Sequence, residues 1–279
     1  MTTGEALPHA FHLPVDGSHR FCLYHAPAPG PMRGTVLCLP AWAEELNAGR
    51  STLARGARTL AAAGYAVLQI DPFGCGDSDG EFEQATWNHW LRDAQVGLAW
   101  LDARWPGAPR WLWGLRSGAL LAADALQGLA PPANLLAWQP PPSGQALLQQ
   151  FLRLAAAGRW VGRSDPGHDA PAERLARGEP VDIAGYRLTP ALAEGVTQAR
   201  WRPPATAQPA QLVWIDTGTE NTDTPGPGAQ RGIDAWREAG WAVRWRGVAC
   251  PPFWQTVEHH DTRNIVDATA ALMTTGAAP

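Results

Sequence analysis

The chain has 279 residues, 45% of them hydrophobic, and a formal charge of −4 from 26 acidic side chains against 22 basic ones, all arginine. That length buries a large core, read here as one α/β domain with an insertion, and no basic run is long enough to track a phosphate backbone, which argues against nucleic acid as a partner. No charged head followed by an apolar run opens the sequence, and nowhere do about 18 apolar residues occur in succession, so no membrane insertion and a cytoplasmic location are expected.

Four cysteines, Cys22, Cys38, Cys75 and Cys250, are widely spaced, with no C-x-x-C pair and no ligand-like histidine spacing. They read as buried free thiols, and neither a metal nor another cofactor is expected.

In chain order, AFHLP and RFCLYHAP alternate apolar and polar residues around Asp16-Gly17. That dipeptide favours a tight turn, so an antiparallel hairpin is predicted. Short, strongly apolar runs follow at Thr35 to Pro40, Tyr65 to Asp71, Arg110 to Trp113, Asn134 to Trp138, Gln211 to Asp216 and Trp241 to Val248. Such runs suit strands covered on both faces, as in a parallel sheet. Between them, Leu46, Leu53 and Leu60 recur every seven residues before Gly64, and Trp87, Trp90, Leu91, Ala94, Leu98 and Leu101 keep a three-four rhythm. Both patterns predict helices, the first ended by Gly64. Strands alternating with helices predict a mostly parallel sheet wrapped on both faces. The stretch 140–209 breaks the alternation with ALLQQFLRLAAAG and then loop-like sequence rich in proline and glycine. It reads as a cap inserted over the ligand edge of a core formed by 1–139 and 210–279.

The decisive segment is Gly114-Leu115-Arg116-Ser117-Gly118. In the G-x-S-x-G elbow a nucleophilic serine stands on a strained turn between strand and helix, and the flanking glycines allow close approach. Here arginine holds the apex. Ser117, one place late, reads first as a helix-start residue. A triad would add an acid after the seventh sheet strand and a histidine after the eighth. Asp216 or Glu220 supplies a possible acid, Asp216 reading more simply as a strand-end turn residue. His259 and His260 are placed in the final helix, more as a solvated face than as a general base.

The loop after Thr35 to Pro40 carries Trp42, Glu44, Glu45, Asn47 and Arg50. Glu44 and Glu45 either sit against the positive end of a helix dipole or supply a partner for Arg116 beneath the cap. Arg116 could instead grip a carboxylate or phosphate on a ligand. Trp42, Phe253 and Trp254 should converge on the ligand edge, and with Asn47, Arg50 and Gln139 they form the expected substrate-binding set. Arg116, Glu44, Glu45 and Ser117 form the candidate catalytic set. Asp71 to Ser78 matches neither glycine-rich phosphate motif and reads as a turn in which Asp71 and Asp77 make local backbone bonds.

PAWAEELNAGR, QIDPFGCGDSDGEF, WNHWLRD, WGLRSGALLA, LAWQPPPSGQALLQQFLRL, IAGYRLTPAL and PPFWQTVE together resemble the exosortase A system-associated hydrolases of type 2. Those proteins belong to the α/β-hydrolase superfamily, and the likeness runs from about Leu37 to Glu258. It implies the α/β-hydrolase fold with a cap, a bacterial protein encoded near the exosortase and PEP-CTERM sorting system, commonly beside exopolysaccharide genes, and a second hydrolase of the superfamily as a neighbour. A small-molecule or carrier-bound acyl ester or thioester is the implied substrate. An arginine at the elbow apex is typical of the resemblance, whereas Ser117 and the His259-His260 pair replace apolar positions.

Three readings stay open. In one, an acyl hydrolase or acyltransferase attacks with water, Glu44 or Glu45 acting as base and Arg116 stabilising the oxyanion beside backbone N–H groups near Trp42 and Ser117. In another, a non-catalytic scaffold uses its apex arginine to bind an acidic acyl, phosphopantetheine-bearing or saccharide ligand, or pairs with its hydrolase neighbour. In the third, Ser117 is a true nucleophile with a displaced histidine.

Overall fold

The computed structural model describes residues 7–129, 132–160, 170–204, 210–256 and 260–275, and the side chains of 155–160 lie outside that description. Strands β1 (His9–Val15) and β2 (Ser18–His25) form the N-terminal antiparallel hairpin. Asp16 and Gly17, at φ 48° and 83°, turn the chain between them. Positive φ at both central residues is what a two-residue hairpin turn needs, which is why Asp-Gly serves there.

Six further strands complete the main sheet: β3 (Gly34–Leu39), β4 (Tyr65–Ile70), β5 (Arg110–Leu115), β6 (Asn134–Trp138), β9 (Gln211–Gly218) and β10 (Ala242–Ala249). The order is β1-β2-β4-β3-β5-β6-β9-β10. β2 meets β4 antiparallel, and every pair from β4 to β10 is parallel. Alternate residues of these strands feed two cores. Leu37, Leu39, Leu68 and Leu112 point to the side of α2 (Trp87–Arg104) and α3 (Ser117–Leu126). Val36, Cys38, Trp113 and Trp138 point to the side of α1 (Ala43–Ala62) and α8 (Arg263–Thr274). Burial on both faces explains why the strands read as unbroken apolar runs. Together these features are the α/β-hydrolase fold. No helix of the described residues is long and apolar enough to cross a membrane.

Between β6 and β9 lie α4 (Gly144–Trp160), α5 (Pro171–Ala176), the hairpin β7 (Val181–Ile183) with β8 (Tyr186–Leu188), and α6 (Pro190–Gln198). In its described part, 170–204, the expected loop-like stretch after the leucine-bearing segment is largely built of short elements. Thr189 accepts a bond from the Leu192 N–H and Pro190 fills the first turn, a local start signal for α6. Ala184 and Gly185, at φ 52° and 87°, turn the small hairpin. After β10 the correction is larger. α8 begins only at Arg263, where the Asp261 carboxylate accepts from the Arg263 backbone N–H at 3.0 Å. His260 therefore lies in the loop before that helix, not within it, and His259 lies outside the described residues.

Candidate functional site

The turn from β5 to α3 is strained at one residue. Arg116 has φ 54° and ψ −114°, a conformation that costs a side-chain-bearing residue about 1–3 kcal/mol. The flanking glycines are sterically required: a Cβ at Gly118 would lie 2.1 Å from the Leu39 carbonyl oxygen, and one at Gly114 2.3 Å from the Ala119 nitrogen. Strand, helix and the end of β3 close on one another without side chains between them, and this pushes residue 116 to the apex.

From there the guanidinium is enclosed on three sides. Its Nε donates to Glu45 Oε1 at 3.3 Å, its Nη2 donates to Gln150 Oε1 at 2.6 Å, and its Cζ lies 5.6 Å from the centre of the Trp254 ring. Only 7% of Arg116 is exposed. Glu45 comes from the first turn of α1, Gln150 from the cap helix α4, and Trp254 from the loop after β10. Burial pushes the Glu45 carboxyl above its ordinary range, and the charge and hydrogen bond of Arg116 oppose that rise. The second oxygen, Oε2, is buried with no hydrogen-bond partner among the described residues.

Above this cluster is a cavity of about 950 Å³ between α1, α4 and the loop after β10. α1 turns Glu44, Glu45, Asn47, Ser51 and Arg55 to it, and α4 turns Leu147, Gln150, Phe151 and Leu154. Both sets follow the helical three-four spacing of a single face. Three contacts fasten cap to core around its floor: Arg116 with Gln150, the Trp42 ring 4.9 Å from Phe151, and Asn47 donating to the Tyr186 hydroxyl at 3.1 Å.

Of the expected site residues, Trp42, Glu44, Glu45, Asn47, Phe253 and Trp254 line this cavity. Arg116 stands behind its wall, joined to it through Glu45, Gln150 and Trp254. Ser117, 3% exposed, opens α3 and borders a separate void of about 10 Å³. Arg50 donates to Asp71 Oδ2 at 3.1 Å and borders another cavity, of about 40 Å³. Gln139, itself at φ 46°, accepts from both the backbone N–H and the hydroxyl of Thr217, tying β6 to β9.

Asp216 lies inside β9, not in a turn, and its two oxygens accept from the indoles of Trp214 and Trp245 at 2.8 and 2.9 Å. Burial raises its carboxyl, and those two bonds oppose the rise. His260 lines the large cavity. The loop after β4 is the local turn its sequence suggests, with Asp71 Oδ2 accepting from the Asp77 N–H and the Asp71 carbonyl accepting from Ser78.

The residues that sequence reasoning missed are Arg55, Gln150, Arg153 and Tyr186, all in the cavity wall. Arg55 continues the face of Asn47 and Ser51 at four-residue steps, a signal that was available. The four cysteines are free and buried, and Cys22 and Cys75 are each pushed up to about 12 by burial, which makes them poor nucleophiles. No group of three His, Cys, Asp or Glu among the described residues is arranged to hold a metal.

Residues 30–167 match the family described as serine aminopeptidase, S33. No curated protein matches the chain. Among solved structures it is similar to Est1E from Butyrivibrio proteoclasticus with ferulic acid bound, at 14% identity and a TM-score of 0.65 over 95% of this chain and 98% of that one. It is similar to a soluble variant of monoglyceride lipase from Saccharomyces cerevisiae in complex with a substrate analogue, at 13% identity and a TM-score of 0.62 over 100% and 99%. A third, XC6422 from Xanthomonas campestris, described as an α/β serine hydrolase without lid, has 16% identity and a TM-score of 0.58 over 98% of each chain. At these identities the likeness shows the fold.

Proposed function

We propose that this protein of the α/β-hydrolase fold, matching serine aminopeptidases over residues 30–167, holds an acyl ester or thioester in its capped cavity without serine-type turnover. One observation carries the reading. The strained apex that would present a nucleophile presents Arg116 instead, and its guanidinium is enclosed by Glu45, Gln150 and Trp254. A group so engaged is a strut between core and cap. The wall around it offers the acyl chain aromatic and aliphatic surface from Trp42, Phe151, Leu147 and Phe253. The resemblance to exosortase-associated hydrolases supports a cytoplasmic role in that system, with a carrier-bound acyl group as ligand and a second hydrolase of the locus as companion.

A second reading has its own support. Glu45 lines the cavity and its carboxyl is raised by burial, the direction that makes a carboxylate a better base near neutral pH. In that case Glu45 activates water and the acyl bond is hydrolysed directly.

Incubation of the folded protein with a fluorophosphonate probe and with 4-nitrophenyl decanoate separates the readings. The proposal expects no adduct on Ser117 and no turnover above buffer, with decanoyl ester binding seen by calorimetry. An adduct on Ser117, or turnover that Glu45→Gln abolishes, overturns it.

A further inference from the structure

The cavity wall contains two positive charges that the acyl reading does not use. Arg55 projects from α1 and Arg153 from α4, and both line the cavity. Neither has a carboxylate within salt-bridge distance among the described residues, although Arg116, behind the same wall, has Glu45. Among the described residues, the acids nearby are engaged elsewhere or stand at the far end of the wall. Asp261, which feels the charge of Arg55, holds Arg263 through both oxygens at 2.6 to 3.1 Å. Glu45 faces Arg116, and Glu44 stands at the opposite end of the α1 face, near the Tyr186 hydroxyl. Among the described residues, His260 is a further ionisable group of the wall. Eleven positions separate Glu44 from Arg55 in the sequence, about 16 Å along the helix axis at about 1.5 Å per residue.

The cavity thus offers apolar surface from Trp42 and Phe151 beside the polar elbow groups Glu45 and Gln150, and carries cationic side chains on α1 at Arg55 and on α4 at Arg153. We infer that its ligand is an anionic amphiphile, an acyl chain lying over Trp42 and Phe151 with a carboxylate or phosphate taken by Arg55 and Arg153. This rests on the acyl-cavity reading above and adds the head group to it. Arg55 is only partly exposed, so its charge is less screened than that of exposed Arg153 and its contact with an anion is the stronger of the two.

Three probes with one chain and three heads test the inference: decanoate, decyl phosphate and 1-decanol, titrated calorimetrically into the full chain. Both anions should bind about tenfold or more tightly than the alcohol at low salt, and the advantage should shrink as salt screens it. Arg55→Gln should remove most of that advantage and Arg153→Gln a smaller part, with the affinity for 1-decanol unchanged in both. Decyl phosphate binding above decanoate identifies a phosphate head, and the reverse order a carboxylate. Equal affinities for alcohol and anions, or an anion advantage that survives both substitutions, overturns the inference and leaves the acyl cavity standing. If none of the three binds, the acyl-cavity reading falls and the inference with it.

Discussion

Among the described residues, two buried guanidinium–carboxylate pairs differ in completeness. Arg20 and Asp93 are sealed, with side chains 4% and 1% exposed. Asp93 accepts from Arg20 Nε at 2.6 Å through one oxygen and from the Phe73 N–H at 2.7 Å through the other. Arg20 also donates to Ser18 and lies 4.8 Å from the centre of the Phe73 ring. Arg116 and Glu45 are 8% and 17% exposed, at a longer 3.3 Å, and Glu45 Oε2 has no partner among the described residues. The first pair joins the N-terminal hairpin to α2 and satisfies both carboxylate oxygens, the mark of a structural fastening. The second borders a cavity and leaves an acceptor unmatched.

Breaking the complete pair should have the largest effect. Arg20→Ala leaves Asp93 buried without its counter-charge, and removing one member of a buried pair costs about 3–5 kcal/mol. Urea unfolding should show that loss, with the ligand affinity of the surviving folded protein intact. A loss under about 1 kcal/mol would place Arg20 with ordinary surface pairs and remove the contrast.

The incomplete pair should break more cheaply. Arg116→Ala removes charged hydrogen bonds to Glu45 and Gln150, about 2–3 kcal/mol, since Glu45 borders a cavity in which it can be rehydrated. Arg116→Gly makes the same deletion and also relieves the strain of φ 54°. The glycine variant should therefore be about 1 kcal/mol more stable than the alanine variant, the strain relief outweighing glycine's greater unfolded-state freedom. Alanine equal to or above glycine would mean that the apex is not strained.

These sites were unequally legible. The hairpin was readable because Asp16-Gly17 encodes its turn locally, and the parallel sheet because strands buried on both faces cannot conceal their apolar runs. α1 was readable from Leu46, Leu53 and Leu60, all buried. Arg116 could be placed at the apex because Gly114 and Gly118 fix the register. Its engagement with Gln150 could not be read, since it depends on how the cap helix settles over the elbow, a tertiary event with no local signature. The same holds for Arg153 and Tyr186. His260 was misplaced because the start of α8 depends on Asp261, whose bond to the Arg263 N–H marks the boundary only once the loop is folded. Arg50 and Gln139 show the converse. Both are polar residues in the expected segments, but Asp71 and Thr217 respectively engage them away from the large cavity.

The smallest effect probes the incomplete pair through pH. Burial holds the Glu45 carboxyl above its ordinary value, with Arg116 only partly offsetting it. A folded chain that keeps this proton longer than the unfolded chain has stability that is fully present below the unfolded value, about 4.3, and is lost as pH rises through the folded one. Glu45→Gln fixes the neutral form in nearly the same shape. Its urea midpoint should track the wild type at pH 4 and move upward relative to it at pH 8, modestly, because the carboxyl is 17% exposed and cavity water screens it. A difference independent of pH would mean that Arg116 cancels the cost of burying Glu45. The partner would then hold the Glu45 carboxylate charged, and the case for Glu45 as a base would lose its support.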